Sequence, residues 1–164
     1  MPTTQENLAV AFAGESQANR KYLAFAQAAE KEGYAQIARL FRAAADAETV
    51  HAHAHLRVMK GVGSTTDNLN AAITGETEEF KKMYPGMIER AKAEGNDAAV
   101  MSFENANAVE EIHAGLYQKA LDNLGKNEVT DIYVCQVCGN TVEGEPPDKC
   151  PVCGAPKKSF KKID

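Results

Sequence analysis

The sequence predicts an all-α four-helix bundle followed by a small, β-rich, metal-dependent module. Up to about Lys126 the chain is rich in Ala, Glu, Lys and Leu and reads as long amphipathic helices. The four cysteines, Cys135, Cys138, Cys150 and Cys153, all lie in the last thirty residues. The helical part also repeats its own pattern. With 164 residues, 44% hydrophobic and 25% charged, the chain holds enough apolar side chain for a core. The expected domains are residues 1–128 and 129–164.

Helices are expected over 4–32, 34–61, 66–94 and 96–124. Their joints are Glu32-Gly33-Tyr34, Lys60 to Thr66, and Glu94-Gly95-Asn96-Asp97. Gly closing one helix, with Ser, Thr, Asn or Asp capping the next, is the usual punctuation. Pro85 falls inside the third helix and should kink it or mark an irregular turn. Four helices of similar length make a bundle the default architecture. From about Val129 the pattern changes to strands and tight turns.

Charge and hydropathy exclude several functions. Lys and Arg total 18 against 23 Asp and Glu, a net charge of −5. An acidic chain with no basic cluster before its tail is a poor nucleic-acid binder, because neutralising phosphates supplies most non-specific affinity. No apolar run approaches the ~20 residues that span a bilayer. The stretch Met1 to Glu6 lacks the cationic start and apolar run of a secretory signal, so a cytoplasmic setting is expected.

The duplication carries the chemistry. Gly14-Glu15-Ser16 matches Gly75-Glu76-Thr77, and each Glu is followed 33 or 34 residues later by Glu-x-x-His: Glu48 to His51, then Glu110 to His113. Tyr22 and Tyr84 follow their Glu by seven and eight positions. Residues three apart on a helix share a face, so each Glu-x-x-His presents both groups together. Two such pairs, plus one Glu from each of the other two helices, form the ligand set of a carboxylate-bridged dimetal site. Carboxylates bridge and neutralise two cations while each imidazole adds a neutral nitrogen. Without metal, several buried Glu would each cost several kcal/mol in desolvation and would repel one another.

A single Glu-x-x-His in an acidic helical protein is usually a solvated face; the repeat and the apolar residues before Glu48 (Phe41, Ala44, Ala45) and Glu110 (Phe103, Ala106) argue otherwise. Gly14 and Gly75 each cost about 1 kcal/mol against Ala in a helix interior. Both helix packing and room for a small ligand would account for them. Glu79, three residues after Glu76, has no counterpart after Glu15, where Ala18 stands. It is a candidate seventh ligand, or else an exposed member of the acidic run Glu76-Thr77-Glu78-Glu79. His53 should face solvent; His55 shares the ligand face a turn further on and reads as a polar neighbour rather than a ligand.

Cys135-Gln-Val-Cys138-Gly139 and Cys150-Pro-Val-Cys153-Gly154 are two knuckles that together offer four thiolates for a tetrahedral site, suited to zinc or one iron. Some 36 residues cannot fold on an apolar core alone, so metal should supply much of the module's stability.

These motifs together resemble rubrerythrin. The chain has Gly14-Glu15, Glu48-x-x-His51, Gly75-Glu76-x-x-Glu79 and Glu110-x-x-His113. Its tail, from Tyr133-Val-Cys135 through Pro146-Pro147 to Cys150-Pro151-Val-Cys153-Gly154-Ala155-Pro156-Lys157 and Phe160, resembles a shortened rubredoxin. The resemblance implies a ferritin-like bundle holding two irons through Glu15, Glu48, His51, Glu76, Glu79, Glu110 and His113. It implies one further iron in the four-cysteine site, where zinc can substitute. It implies a peroxidase reducing hydrogen peroxide to water, with electrons relayed from the rubredoxin-like iron and supplied by an external donor such as a rubredoxin or its reductase. One iron would exchange Glu79 for His51 on reduction, and Tyr22 and Tyr84 would hydrogen-bond the ligand carboxylates.

Chain length predicts an exchanged dimer. Only 28 residues separate Glu48 from Glu76. Running along one helix to Gly61 and back from Thr66 consumes nearly all of them, while a ferritin-like crossover must cover ~40 Å, at least a dozen extended residues. Pairing the first two helices of one chain with the last two of a partner removes the need for that crossover. The competing functions are a ferroxidase or iron-handling protein, and a non-enzymatic zinc-ribbon module on a structural bundle.

Overall fold

The structure is a computed structural model describing residues 1–164. The chain divides into two compact units, Met1–Gly63 and Ser64–Asp164.

The first unit is a helical hairpin, α1 (Thr4–Lys31) and α2 (Ala35–Val58). Thr3 and Glu6 close a capping box at the start of α1, the Thr3 hydroxyl accepting from the Glu6 N–H at 3.2 Å. At the far end the Tyr34 N–H reaches back to the Ala29 carbonyl at 2.8 Å, which turns the chain into α2. The buried residues of the hairpin are all alanines, Ala26, Ala29, Ala38, Ala45 and Ala52, so the two backbones run close together. Asn19 ties them, its Nδ2 donating to the Ala45 carbonyl at 2.7 Å and to the Thr49 hydroxyl at 2.8 Å. Larger apolar side chains, including Phe25, Ile37, Leu40 and Val50, stay exposed. A two-helix unit has only one contact face, and this one is filled by methyl groups.

α2 stops three residues before its expected end. Lys60, rather than Gly61, takes the left-handed conformation, with φ +57°. The Gly61 N–H then returns to the Leu56 carbonyl at 2.9 Å. A Cβ on Gly61 would meet the end of the Leu56 side chain, which would have to shift to admit it.

In the second unit, α3 (Thr65–Glu78) begins with a Ser64–Asp67 capping box, and α5 (Asp97–Asp122) is capped by the Asn96 side chain on the Ala99 N–H at 3.1 Å. α3 and α4 (Tyr84–Ala93) both pack on α5. The third helix is not one kinked rod. A π-helical turn, Glu79–Met83, separates α3 from α4, and the Tyr84 N–H bonds back five residues to Glu79. Pro85 has no N–H to offer the preceding turn, so the irregularity falls just upstream of it. A π turn absorbs one additional residue. The repeat offset is 61 between Glu15 and Glu76 but 62 between Tyr22 and Tyr84. The additional residue therefore lies in this turn.

The C-terminal part is a three-stranded antiparallel sheet in the order β2-β1-β3, formed by β1 (Ile132–Cys135), β2 (Thr141–Glu143) and β3 (Phe160–Ile163). Tyr133 sits between Val142 and Lys162 in the register. Each Cys knuckle closes through its glycine. The Gly139 N–H bonds the Cys135 carbonyl at 2.8 Å and the Gly154 N–H bonds the Cys150 carbonyl at 2.9 Å, with φ of +86° and +74°.

No helix is long and apolar enough to cross a membrane.

Candidate metal centres

Each helical unit gathers one Glu, Glu, His cluster. In the first, α1 presents Glu15 and α2 presents Glu48 and His51, with their ligand atoms within 4.8 Å of one another. The Glu48 carboxylate meets His51 Nδ1 at 2.9 Å, and the imidazole is 56% exposed.

In the second, α3 supplies Glu76 and α5 supplies Glu110 and His113. His113 Nδ1 lies 2.8 Å from Glu110 Oε2 and 3.9 Å from Glu76 Oε1. Its other nitrogen, Nε2, is 3.0 Å from the Thr141 hydroxyl, which donates to the Gly139 carbonyl at 3.2 Å. That hydroxyl is therefore an acceptor toward the ring. This contact suits the tautomer with its hydrogen on Nε2, which leaves Nδ1, facing the carboxylates, as the nitrogen available to a cation. Only 26% of the His113 side chain is exposed. A cleft of about 290 Å³ lined by Leu116, Tyr117, Ala120 and Ile132 flanks the contact.

The electrostatics of the second cluster suit a cation. Burial, and then the neighbouring Glu110 carboxylate, push the Glu76 carboxyl above its ordinary value. Burial and the three carboxylates of Glu110, Glu79 and Glu76 push the Tyr84 phenol upward as well. Carboxylates crowded together with only imidazole for company form a donor set suited to divalent cations and poorly suited to standing alone.

Of the residues singled out in the sequence, six fall into these clusters. Glu79, half-buried at the start of the π turn, lies outside the three-residue cluster but near enough to raise Glu76 and Tyr84. Tyr22 packs its ring 6.2 Å from both Phe25 and Phe41, and Tyr84 packs 6.2 Å from Phe103; neither phenol is hydrogen-bonded to a carboxylate. His53 is exposed and His55 half-buried. A Cβ on Gly14 or Gly75 would meet nothing within 4 Å, so packing inside this chain does not demand either glycine. Sequence reasoning missed Asn19, Asn140 and Thr141. Asn19, four residues after Glu15 on its apolar stripe, was findable from spacing; the other two carry no motif.

The four sulfurs form a second kind of site. Cys135 and Cys153 are 3.8 Å apart and Cys138 and Cys150 3.6 Å, far longer than the ~2.05 Å of a disulfide. A tetrahedron with metal–sulfur bonds of ~2.3 Å has edges of ~3.8 Å, so this spacing suits a tetrathiolate metal. Burial pushes the Cys150 thiol up, but the N–H groups of Cys153 and Val152 aimed at its sulfur prevail and bring it down to about 7. Burial pushes the Cys138 thiol up.

The rubrerythrin family profile matches residues 6–121, and that of the rubrerythrin rubredoxin-like domain matches residues 133–161. Rubrerythrin-2 of Clostridium acetobutylicum is 38% identical, over 96% of this chain and 95% of that protein. Nigerythrin of Nitratidesulfovibrio vulgaris is 37% identical, over 96% and 85%. A structure of fully reduced, all-ferrous nigerythrin matches with a TM-score of 0.61 at 36% identity, over 99% of this chain and 88% of that one. The helical bundle, the small C-terminal sheet and both ligand sets thus coincide with two matching family domains over nearly the whole chain, and the chain belongs to the rubrerythrin family.

Proposed function

We propose that the protein reduces hydrogen peroxide to water at a di-iron site, with electrons relayed through an iron held by Cys135, Cys138, Cys150 and Cys153. The observation that carries this reading is the pair of like clusters, Glu15–Glu48–His51 and Glu76–Glu110–His113, on the chain that also carries the four-sulfur site. The reaction takes up two electrons and two protons, breaks the O–O bond and releases two waters. When bound, the iron pair supplies the two electrons and the Lewis acidity that polarises peroxide.

The protein's own groups have distinct tasks. Glu15, Glu48, Glu76 and Glu110 offset the cations' charge, and His113, held by Thr141, offers Nδ1 in a fixed orientation. His51, exposed and without such a tether, and Glu79, in the widened turn, are the positions free to alternate as ligands. Tyr84 keeps its proton at Oη because burial and then the neighbouring carboxylates oppose its ionisation, so it remains a donor toward oxygen; Tyr22 holds the corresponding place in the other half. Thr141 joins the cysteine module to His113 within one chain, which suits short-range electron delivery.

Each site completes itself, in this reading, across an exchanged homodimer in a cytoplasmic setting. α2 ends at Val58 and α3 begins at Thr65, so residues 59–64 extend ~20 Å, half the ~40 Å that a crossover needs. The exposed apolar side chains of the α1–α2 hairpin suit burial against the α3–α5 helices of a second copy, and the open space beside Gly14 and Gly75 suits a close approach. The domains divide at residues 128 and 129.

Stopped-flow oxidation of the chemically reduced protein tests the activity. Peroxide should oxidise the di-iron bands at least about 100-fold faster than dioxygen, the gap expected when the site is matched to one oxidant's transition state. Faster oxidation by dioxygen would favour a ferroxidase instead.

A further inference from the structure

The largest fully buried polar side chain belongs to Asn140, 1% exposed, the residue after the first knuckle's glycine. Its backbone is fixed on both sides. Its carbonyl accepts from the Cys135 N–H at 2.9 Å, and its N–H is bonded toward the Cys138 sulfur. Its side chain is turned inward, with Nδ2 donating to Cys150 Sγ at 3.6 Å.

The two knuckles are related by a rough twofold, and Asn140 breaks it. In the second knuckle Ala155 follows Gly154; its N–H serves Cys153 as that of Asn140 serves Cys138, but its methyl group can donate nothing. Cys150 therefore receives a side-chain N–H in addition to the backbone N–H groups of Val152 and Cys153. Burying an amide costs free energy unless it is hydrogen-bonded, and an acceptor that is negative in the metal-bound form makes the stronger bond. Four thiolates around iron carry one net negative charge when ferric and two when ferrous. An N–H dipole aimed at a sulfur stabilises the more negative form more.

We propose that Asn140 is a positioning residue that raises the reduction potential of the tetrathiolate iron through its bond to Cys150, and so sets how readily that iron accepts an electron from its donor. This rests on iron occupying the four-cysteine site. No bond is made or broken; one electron enters and the hydrogen bond strengthens.

The test is a spectroelectrochemical titration of the tetrathiolate visible bands in the iron-loaded full chain and in Asn140→Leu, which keeps the bulk and removes the donor. At the potential where the wild type is half reduced, the ferrous-to-ferric ratio of Asn140→Leu should fall about tenfold, ~59 mV for one electron. Asn140→Ala should shift the same way. An unchanged ratio in a variant that shows the tetrathiolate bands would overturn the proposal. So would failure of both variants to form those bands, which would make Asn140 structural only. A wild type lacking the bands would instead refute iron in the site, a separate failure.

Discussion

The two helical halves are copies that have diverged in the features that matter for chemistry. Both place a Glu opposite a Glu-x-x-His, with histidine Nδ1 atoms 2.9 and 2.8 Å from their own carboxylates. The α1–α2 half is regular, has Ala18 where the other has Glu79, and leaves His51 exposed. The α3–α5 half contains the π turn, brings Glu79 to its start, and anchors His113 to Thr141. Duplication supplies the symmetric cage; one added residue and one hydroxyl make it unequal. The first half leaves its histidine untethered, whereas the second ties its histidine to the sheet and carries an added carboxylate at the widened turn.

The largest effect is expected from disabling the halves separately. Glu48→Ala with His51→Ala in one chain, and Glu110→Ala with His113→Ala in another, should each abolish peroxide reduction. Co-refolding the two inactive chains with iron should restore about a quarter of wild-type activity, because half the dimers are mixed and one of their two shared sites is intact. No recovery would place both halves of a site in one chain.

A smaller effect sharpens the contrast between the histidines. Thr141→Val removes the acceptor from His113 Nε2 and should weaken retention of iron by about 10–100-fold in competition with a ferrous chelator. His51 has no equivalent tether, so the loss should fall on one iron of the pair. Equal loss of both would contradict the asymmetry.

The smallest concerns the metal-free protein. Glu76 has a folded-state carboxyl raised above 4.5, so the folded chain binds more protons than the unfolded one just above that value. Its contribution to stability is thus lost as pH rises through the folded value. Glu76→Gln should raise the melting temperature of the metal-free protein at pH 7 by ~2–4 °C, on the order of 1 kcal/mol. That gain should disappear near pH 4, while iron binding is impaired at pH 7. Thermal scans at the two pH values check it.

Much of this was legible in the sequence because helix periodicity and ligand spacing are local. Glu15, Glu48, His51, Glu76, Glu110 and His113 could be placed from the repeat, and the four cysteines from their knuckles. The π turn was half legible. The shift from seven to eight residues before the tyrosines records an insertion, and Pro85 marks a kink or an irregular turn there, but neither says that the turn is π-helical or that it begins at Glu79. Lys60, rather than Gly61, is the left-handed residue, although the usual preference of that conformation for glycine points to Gly61. Thr141 and Asn140 were illegible. Their partners, His113 and Cys150, are 28 and 10 residues away, and only the packing of the sheet on α5 and the closing of the two knuckles bring them into contact.

The central claim is that carboxylate and imidazole groups from both halves hold a pair of irons beside a separate four-sulfur iron. Mössbauer spectroscopy of protein loaded with ⁵⁷Fe tests it most directly. The expected spectrum shows oxygen- and nitrogen-ligated high-spin iron and tetrathiolate iron in a ratio of about two to one. A spectrum containing the tetrathiolate component alone, after loading with excess iron, would contradict it.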